Sequence, residues 1–226
     1  MAKEFYTARS IEDFNCSTEP YTYTGEWENG KPNGYGIKYY SDGTTNRGFF
    51  KNGMLNGYGV CHYANGVTYE GNFVNDLKDG YGVELGKIIY RGFFKNDNYH
   101  GKGILIIPNQ VDYVGDVDTE NEIMHGIGML DFHEDDGSYY IGQLKRGKRD
   151  GYGKLIFGDG SFYEGEWKSN ERNGKGTITY PNKGYTFECT FKNGLPNGYG
   201  KFISFDGRVL KEGRWVNGKF SIIRIL

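Results

Sequence analysis

Along most of the chain, aromatic residues and glycine alternate with polar residues at a period of two. Tyr23, Gly25 and Trp27 enclose Thr24 and Glu26, and the same spacing returns at Tyr69, Gly71 and Phe73 and at Tyr163, Gly165 and Trp167. Period two is the side-chain period of a β-strand, so these three positions share one face. The glycine leaves a gap between two aromatics, and a ring from a neighbouring strand is expected to fill it.

The pattern repeats. Gly-x-Gly pairs fall at 34/36, 57/59, 80/82, 101/103, 126/128, 151/153, 174/176 and 198/200, with spacings of 23, 23, 21, 25, 25, 23 and 24 residues. Nine residues before most pairs stands another glycine. Two residues beyond that glycine come Trp27, Phe50, Phe73, Phe94, Val117, Leu144, Trp167, Phe191 and Trp215, so all three tryptophans occupy one slot. Two residues before it come Tyr23, Asn46, Tyr69, Tyr90, Tyr113, Tyr140, Tyr163, Phe187 and Lys211. Five residues after it come Gly30, Gly53, Asp76, Asp97, Gly147, Asn170, Gly194 and Gly218, often preceded by Asn. These are residue types that tolerate positive φ and mark turns. Asp-Gly at 42, 136, 159 and 206 and Asn-Gly at 65 mark a second set of hairpin turns. Each unit therefore reads as strand, loop, strand, turn, with the first glycine of Gly-x-Gly ending the loop and the second clearing space on the returning strand.

Two short strands cannot bury their own apolar face and must stack on their neighbours. Eight full units and a truncated ninth near Gly213 predict an all-β fold. The expected architecture is an elongated, twisted, single-layer antiparallel meander of about eight to nine β-hairpin repeats, solenoid-like, with roughly sixteen strands over a length on the order of 75 Å. Residues 21–219 would be the array, 1–20 a segment outside it, and 220–226 a capping strand or tail. Within the first segment "SIED" carries a capping-box pattern for one short helix. The end, "SIIRIL", is apolar and β-prone.

Composition supports this reading. The 226 residues include 37 Gly, 20 Tyr and 15 Phe, and mean hydropathy is −0.68, so aromatics must supply most of the buried area. No run of eighteen apolar residues predicts a transmembrane helix, and the first residues lack the apolar core of a signal peptide. Cys16, Cys61 and Cys189 are odd in number and scattered, which fits a reducing, cytoplasmic setting.

The stretches "YTGEWENGKPNGYGIKYYSDG" and "YEGEWKSNERNGKGTITYPNKG" resemble MORN repeats (membrane occupation and recognition nexus), and the resemblance covers about residues 21 to 219. The chain departs from the pattern at Asn46, at a two-residue deletion near Leu85 and Gly86, at insertions containing "DTENE" and "HEDD", and at Cys189. The resemblance implies assembly at cytoskeletal, ciliary or cortical structures, where some such proteins hold a helix or peptide of a motor or adaptor. It also implies peripheral phospholipid binding, the role behind the family's name. In some members the repeats precede an enzyme domain, for which no room follows residue 219.

Residue chemistry argues against an enzyme. No Gly-x-Gly pair extends to G-x-G-x-x-G ahead of a helical pattern, and no phosphate-loop, nucleophile-elbow or kinase motif is present. The stretch 116–122 resembles the start of a calcium loop but carries Asn121 and Ile127 where Gly and Glu are needed. Cys189 reads as a small residue filling a glycine gap rather than a nucleophile. No catalytic residue, metal or cofactor is expected, and no nucleic-acid partner.

Charge is unevenly placed. Residues 103–144 carry nine acids and no Lys or Arg, while residues from 145 onward carry 16 basic and 8 acidic side chains. Such division selects partners by sign. Asp116, Asp118, Glu120, Glu122, Glu134, Asp135 and Asp136 form a candidate acidic patch that suits a basic partner segment. Lys145, Arg146, Lys148 and Arg149 form a candidate anionic-lipid contact. The candidate partner-binding face is aromatic: Tyr23, Trp27, Phe50, Tyr69, Phe73, Tyr90, Phe94, Tyr113, Tyr140, Tyr163, Trp167, Phe191 and Trp215. Which face forms the groove, and whether the chain dimerises through an open sheet end, stay open at this level. The expected function is a non-catalytic scaffold that binds a protein partner. The alternatives are a peripheral phospholipid binder at membrane–cytoskeleton junctions and an accessory subunit of a separate enzyme.

Overall fold

Antiparallel pairing of successive strands is the rule throughout the computed structural model, which describes residues 20–118, 123–132 and 137–221. The N-terminal segment before Pro20, the tail from residue 222, Cys16 and the short-helix and capping-strand expectations attached to them lie outside the described residues. By compactness the chain divides into two units, with the boundary at Ile123/Met124.

Unit 1 contains β1 (Tyr21–Glu28), β2 (Lys31–Tyr40), β3 (Thr45–Lys51), β4 (Met54–His62), β5 (Thr68–Val74), β6 (Leu77–Leu85), β7 (Ile89–Lys95), β8 (Asn98–Ile107) and β9 (Val111–Asp118). Unit 2 contains β10 (Ile123–Asp131), β11 (Tyr139–Lys145), β12 (Lys148–Ile156), β13 (Phe162–Lys168), β14 (Glu171–Tyr180), β15 (Tyr185–Lys192), β16 (Leu195–Ser204), β17 (Val209–Val216) and β18 (Lys219–Ser221), with one 3-10 turn at Pro181–Lys183. Within each unit the strands pair in chain order, so each unit is a single antiparallel sheet. No helix among the described residues is long and apolar enough to cross a membrane.

Two expectations about the turns change. The stretch read as a loop is a two-residue turn whose central residues both have positive φ: Asn52 and Gly53 at 52° and 91°, Asn75 and Asp76 at 51° and 66°. This is the turn that matches strand twist. Gly-x-Gly therefore lies inside a strand. Its first glycine sits in a bulge, where Gly71 pairs with Gly82 and Phe73 with Lys78, leaving Asn72 opposite three residues. The Asp-Gly and Asn-Gly turns at 42, 65, 159 and 206 are one residue longer. Tyr63 N–H donates to Val67 O at 2.8 Å and Gly66 N–H to Tyr63 O at 2.9 Å, with Gly66 left-handed. The turn acid closes the loop on its own backbone, as Asp42 does by accepting from Thr44 N–H at 2.7 Å. Asp136 of the remaining pair lies outside the described residues.

Neighbouring repeats are stapled at the two-residue turns. Asp76 N–H donates to Leu55 O at 3.0 Å, and the Asp76 carboxylate accepts from Leu55 N–H at 2.7 Å. Asp97 with Lys78 and Asn170 with Arg149 repeat the pair of bonds. Where the turn holds glycine, as at Gly53, Gly147, Gly194 and Gly218, the backbone bond remains and the carboxylate or amide acceptor is missing.

Candidate functional site

Each sheet has one packed face and one open face, and the repeat assigns every side chain to one of them. On the packed face the tyrosine of each unit lies along its own strand. A Cβ added at Gly71 would stand 2.5 Å from Tyr69 Oη, and one at Gly82 across the ladder 2.6 Å from Tyr69 Cε2. Where the unit carries the tyrosine, the ring that fills the glycine gap comes from the same strand, because the two paired glycines make a floor wide enough for it. At Gly213, where Lys211 takes the tyrosine's place, Phe220 of the neighbouring strand fills it as expected. Its hydroxyl donates to a carbonyl three residues on: Tyr69 to Asn72, Tyr90 to Phe93, Tyr113 to Asp116, Tyr140 to Gln143 and Tyr163 to Glu166, at 2.8–3.0 Å.

Tyr69 and Tyr163 each meet two other rings edge-on, Tyr90 meets Phe94 edge-on and Tyr99 stacked, and Tyr140 meets Trp167 edge-on. Tyr69 packs against Phe73 of its own unit at 5.0 Å and Phe94 of the next at 4.9 Å, and Tyr163 against Trp167 at 5.1 Å and Phe191 at 5.2 Å. Long cations lie over them. The Arg149 guanidinium is 4.4 Å from the Trp167 ring centre, Arg172 lies over Phe191 at 5.3 Å, and Lys78 over Tyr69 at 5.2 Å. Lys78 is buried and paired with Glu84, which also accepts from Tyr99 Oη at 2.6 Å. Burial pushes the Tyr90 and Tyr140 hydroxyls up to about 12, and those of Tyr69, Tyr113 and Tyr163 up as well. In the second repeat, where Asn46 replaces the tyrosine, the Leu55 side chain covers Gly48 and Gly59, and the buried Lys38 amine donates to Gly53 O at 2.6 Å.

The candidate partner-binding face is therefore largely core. Phe50, Tyr69, Phe73, Tyr90, Phe94, Tyr113, Tyr140, Tyr163, Trp167, Phe191 and Trp215 are buried, Tyr23 is half-buried, and Trp27, on β1 at one end of the unit, is exposed. The reason is geometric: the rings pack on each other along the repeat, so a face rich in aromatics is not a surface of aromatics.

The sequence assigns no site to the open face, yet in unit 1 it presents several aromatic rings to solvent. The middle residue of each Gly-x-Gly points there, and the residue opposite it across the ladder joins it. Tyr35 faces Phe49, Tyr58 faces Asn72, and Tyr81 faces Phe93. Tyr35, Phe49, Tyr58, Tyr81 and Phe93 are 41–51% exposed. The ring centres of Tyr35 and Phe49 are 5.4 Å apart and those of Tyr81 and Phe93 5.6 Å. Arg47 Nε donates to Tyr35 Oη at 2.7 Å, and Tyr58 Oη donates to Glu70. In unit 2 the corresponding pairs are Ile127 with Gln143, Tyr152 with Glu166, Lys175 with Thr190 and Tyr199 with Arg214, so that face is mixed and charged. A signal for this patch exists in the sequence. Only the second and fourth repeats place phenylalanine directly after the upstream glycine, at Phe49 and Phe93.

Of the acidic patch, Asp116 is described, and Lys102 pairs with it at 3.0 Å. The Asp118 side chain and Glu120, Glu122, Glu134, Asp135 and Asp136 lie outside the described residues. Of the basic cluster, Lys145, Arg146 and Lys148 are exposed, whereas Arg149 is held over Trp167 and donates to Asn170 O at 3.0 Å. Arg149 is thus a packing residue, not a free surface charge. The Cys189 side chain is buried against Gly200, and burial pushes its thiol up. Among the described residues no three His, Cys, Asp or Glu side chains gather as metal ligands.

Comparison with known proteins agrees with the repeat. Seven segments, 23–45, 47–68, 69–87, 90–110, 140–162, 163–185 and 190–207, match the family model of the MORN repeat. No curated protein matches the chain. Among solved structures, the TCP domain of SAS-4 (dCPAP) from Drosophila melanogaster, in complex with a proline-rich motif of Ana2 (dSTIL), is 17% identical at a TM-score of 0.40, covering 66% of this chain and 79% of that one. The G-box domain of the microcephaly protein CPAP is 14% identical at 0.31, covering 80% and 98%. The TCP10 domain of Danio rerio CPAP, bound to a STIL peptide, is 14% identical at 0.29, covering 86% and 100%. At such scores and identities the likeness carries nothing over to the binding properties of this chain.

Proposed function

Since the chain belongs to the MORN repeat family, we propose that it acts as a non-catalytic scaffold whose open face in unit 1 holds an extended segment of a protein partner. One observation carries this reading. Five aromatic side chains that the core does not use stand in a row on one face, each about half exposed. Exposed apolar side chains clustered on one face of a folded protein, here broken only by Asn72 on β5, mark an interaction surface. Tyrosine suits such a surface, with a large apolar ring and a hydroxyl that stays bonded at the rim. The setting proposed for the assembly is cytoskeletal, ciliary, axonemal or cortical.

The test is proximity labelling in cells with the full chain and with the double variant Tyr58→Ala/Phe93→Ala. Both side chains point away from the core, so the variant is expected to fold and to lose the labelled partners that the wild type gains. An unchanged set of partners would sink the reading.

A second reading is peripheral contact with anionic phospholipid. Lys145, Arg146 and Lys148 project at the turn between β11 and β12, and at about 1 kcal/mol per basic residue three charges give weak, salt-sensitive attraction. Absence of sedimentation with phosphatidylserine vesicles at low salt removes this alternative.

A further inference from the structure

We propose that the segment held on the open face of unit 1 is a proline-rich stretch in the polyproline II conformation, laid across strands β2 to β7. The inference rests on the scaffold reading and adds the chemistry and direction of the occupant.

Spacing carries the argument. Tyr35, Tyr58 and Tyr81 stand at the same repeat position on β2, β4 and β6, that is, on alternate strands of one sheet. Neighbouring strands are about 4.8 Å apart, so successive tyrosines are about 9.6 Å apart in a line that crosses the strands. A polyproline II helix rises about 3.1 Å per residue with three residues per turn, about 9.3 Å, and so presents an equivalent side chain to each tyrosine in turn. Other conformations laid along the same line fall out of step. A β-strand returns to the same face every two residues, about 6.7 Å, and its three-residue step of about 10 Å puts every second side chain on the far side. An α-helix needs two turns, about 10.8 Å, and has drifted by about 2.4 Å at the third tyrosine.

The chemistry agrees. Phe49 and Phe93 lie between and beside the tyrosines, and the patch runs from β2 to β7, about 24 Å, the length of roughly eight polyproline residues. Proline-rich segments dock on aromatic-lined surfaces because the conformation is already set before binding. Polyproline carbonyls have no partner within their own helix, and Arg47 and Arg91, exposed beside the row on β3 and β7, are donors placed to meet them. In unit 2 the same line on alternate strands reads Ile127, Tyr152, Lys175 and Tyr199, and the positions facing it hold Gln143, Glu166, Thr190 and Arg214. Three successive tyrosines flanked by phenylalanine thus occur in unit 1, where Asn72 alone breaks the aromatic row.

The experiment is a fluorescence-anisotropy titration of the full chain with a labelled, capped decaproline. Saturable binding is expected, weakened tenfold or more by Tyr58→Ala or by Tyr81→Ala and unchanged by Tyr152→Ala, with circular dichroism confirming the fold of each variant. No saturation up to millimolar protein, or saturation indifferent to both Tyr58 and Tyr81, overturns the proposal. A valine–threonine β-prone peptide or an amphipathic helical peptide is titrated in parallel. If either binds in a Tyr58-dependent way while decaproline does not, the polyproline inference falls and the scaffold reading stands. A Tyr58-dependent dimer in sedimentation would mean that a second copy covers the face, and both fall.

Discussion

Tyr69 lies flat over Gly71 and Gly82, and this single contact explains why glycine recurs at both positions of the pair. Gly82 has an ordinary backbone conformation, so what it contributes is space alone. Gly43, by contrast, has open space where a Cβ would go and a φ of 95°, so it contributes conformation alone. The two substitutions separate these effects. Gly82→Ala places a methyl group 2.6 Å from Tyr69 Cε2 and is expected to cost about 3 kcal/mol, the upper end for overpacking. Gly43→Ala is expected to cost about 1 kcal/mol through backbone strain. Urea midpoints of the two variants check the order, and a Gly82→Ala protein as stable as Gly43→Ala would contradict the ring placement. At this scale the sequence was informative about which residues share a face, since period two admits little else. It was silent on where each ring leans. The tyrosine fills its own glycine gap because the hydroxyl finds the carbonyl three residues on, a bond that depends on side-chain torsion and not on spacing.

At the scale of the hairpin, the bulge and the two-residue turn act together. The extra residues of the bulge let the Gly-x-Gly strand continue past the turn, and the turn residue then bonds back to the preceding repeat. The sequence predicts a loop here because glycines and Asn-Gly pairs usually mark one. Positive φ inside a strand leaves the same residue signature, and only the ladder distinguishes the two. Asp76 tests the staple. Its carboxylate accepts the Leu55 N–H, and its φ of 66° is left-handed. Asp76→Ala removes the acceptor and keeps the strained backbone, which is expected to cost about 2 kcal/mol. Asp76→Gly removes the acceptor but relaxes the backbone, and glycine already fills this place at Gly53 and Gly194, so about half that loss is expected. Equal urea midpoints for the alanine and glycine variants would mean that backbone strain plays no part.

Over the molecule as a whole, the packed tyrosines form a set whose ionisation is linked to folding. Tyr69, Tyr90 and Tyr113 serve unit 1 and Tyr140 and Tyr163 serve unit 2, all fully buried. The repeat count made this set legible in the sequence, but not the exposed aromatic face proposed for the partner. The same aromatic pattern that announces a core masks the sparser one, Tyr35, Phe49, Tyr58, Tyr81 and Phe93, that reaches solvent. The buried set gives a pH prediction whose sign is fixed. An unfolded tyrosine ionises near pH 10, roughly, whereas burial holds Tyr90 and Tyr140 neutral up to about 12. The unfolded chain therefore loses these protons first as pH rises. The folded state keeps its full stability below about pH 10 and loses it progressively as pH climbs toward 12. Each tyrosine that must ionise pulls its hydroxyl off a backbone carbonyl and its ring out of the packed face, in both units. Tyrosinate absorbance and far-ultraviolet circular dichroism followed together against pH should show the late ionisation step coinciding with loss of the β-sheet signal. Complete ionisation of all twenty tyrosines with the sheet signal intact would show that these rings are not packed as described.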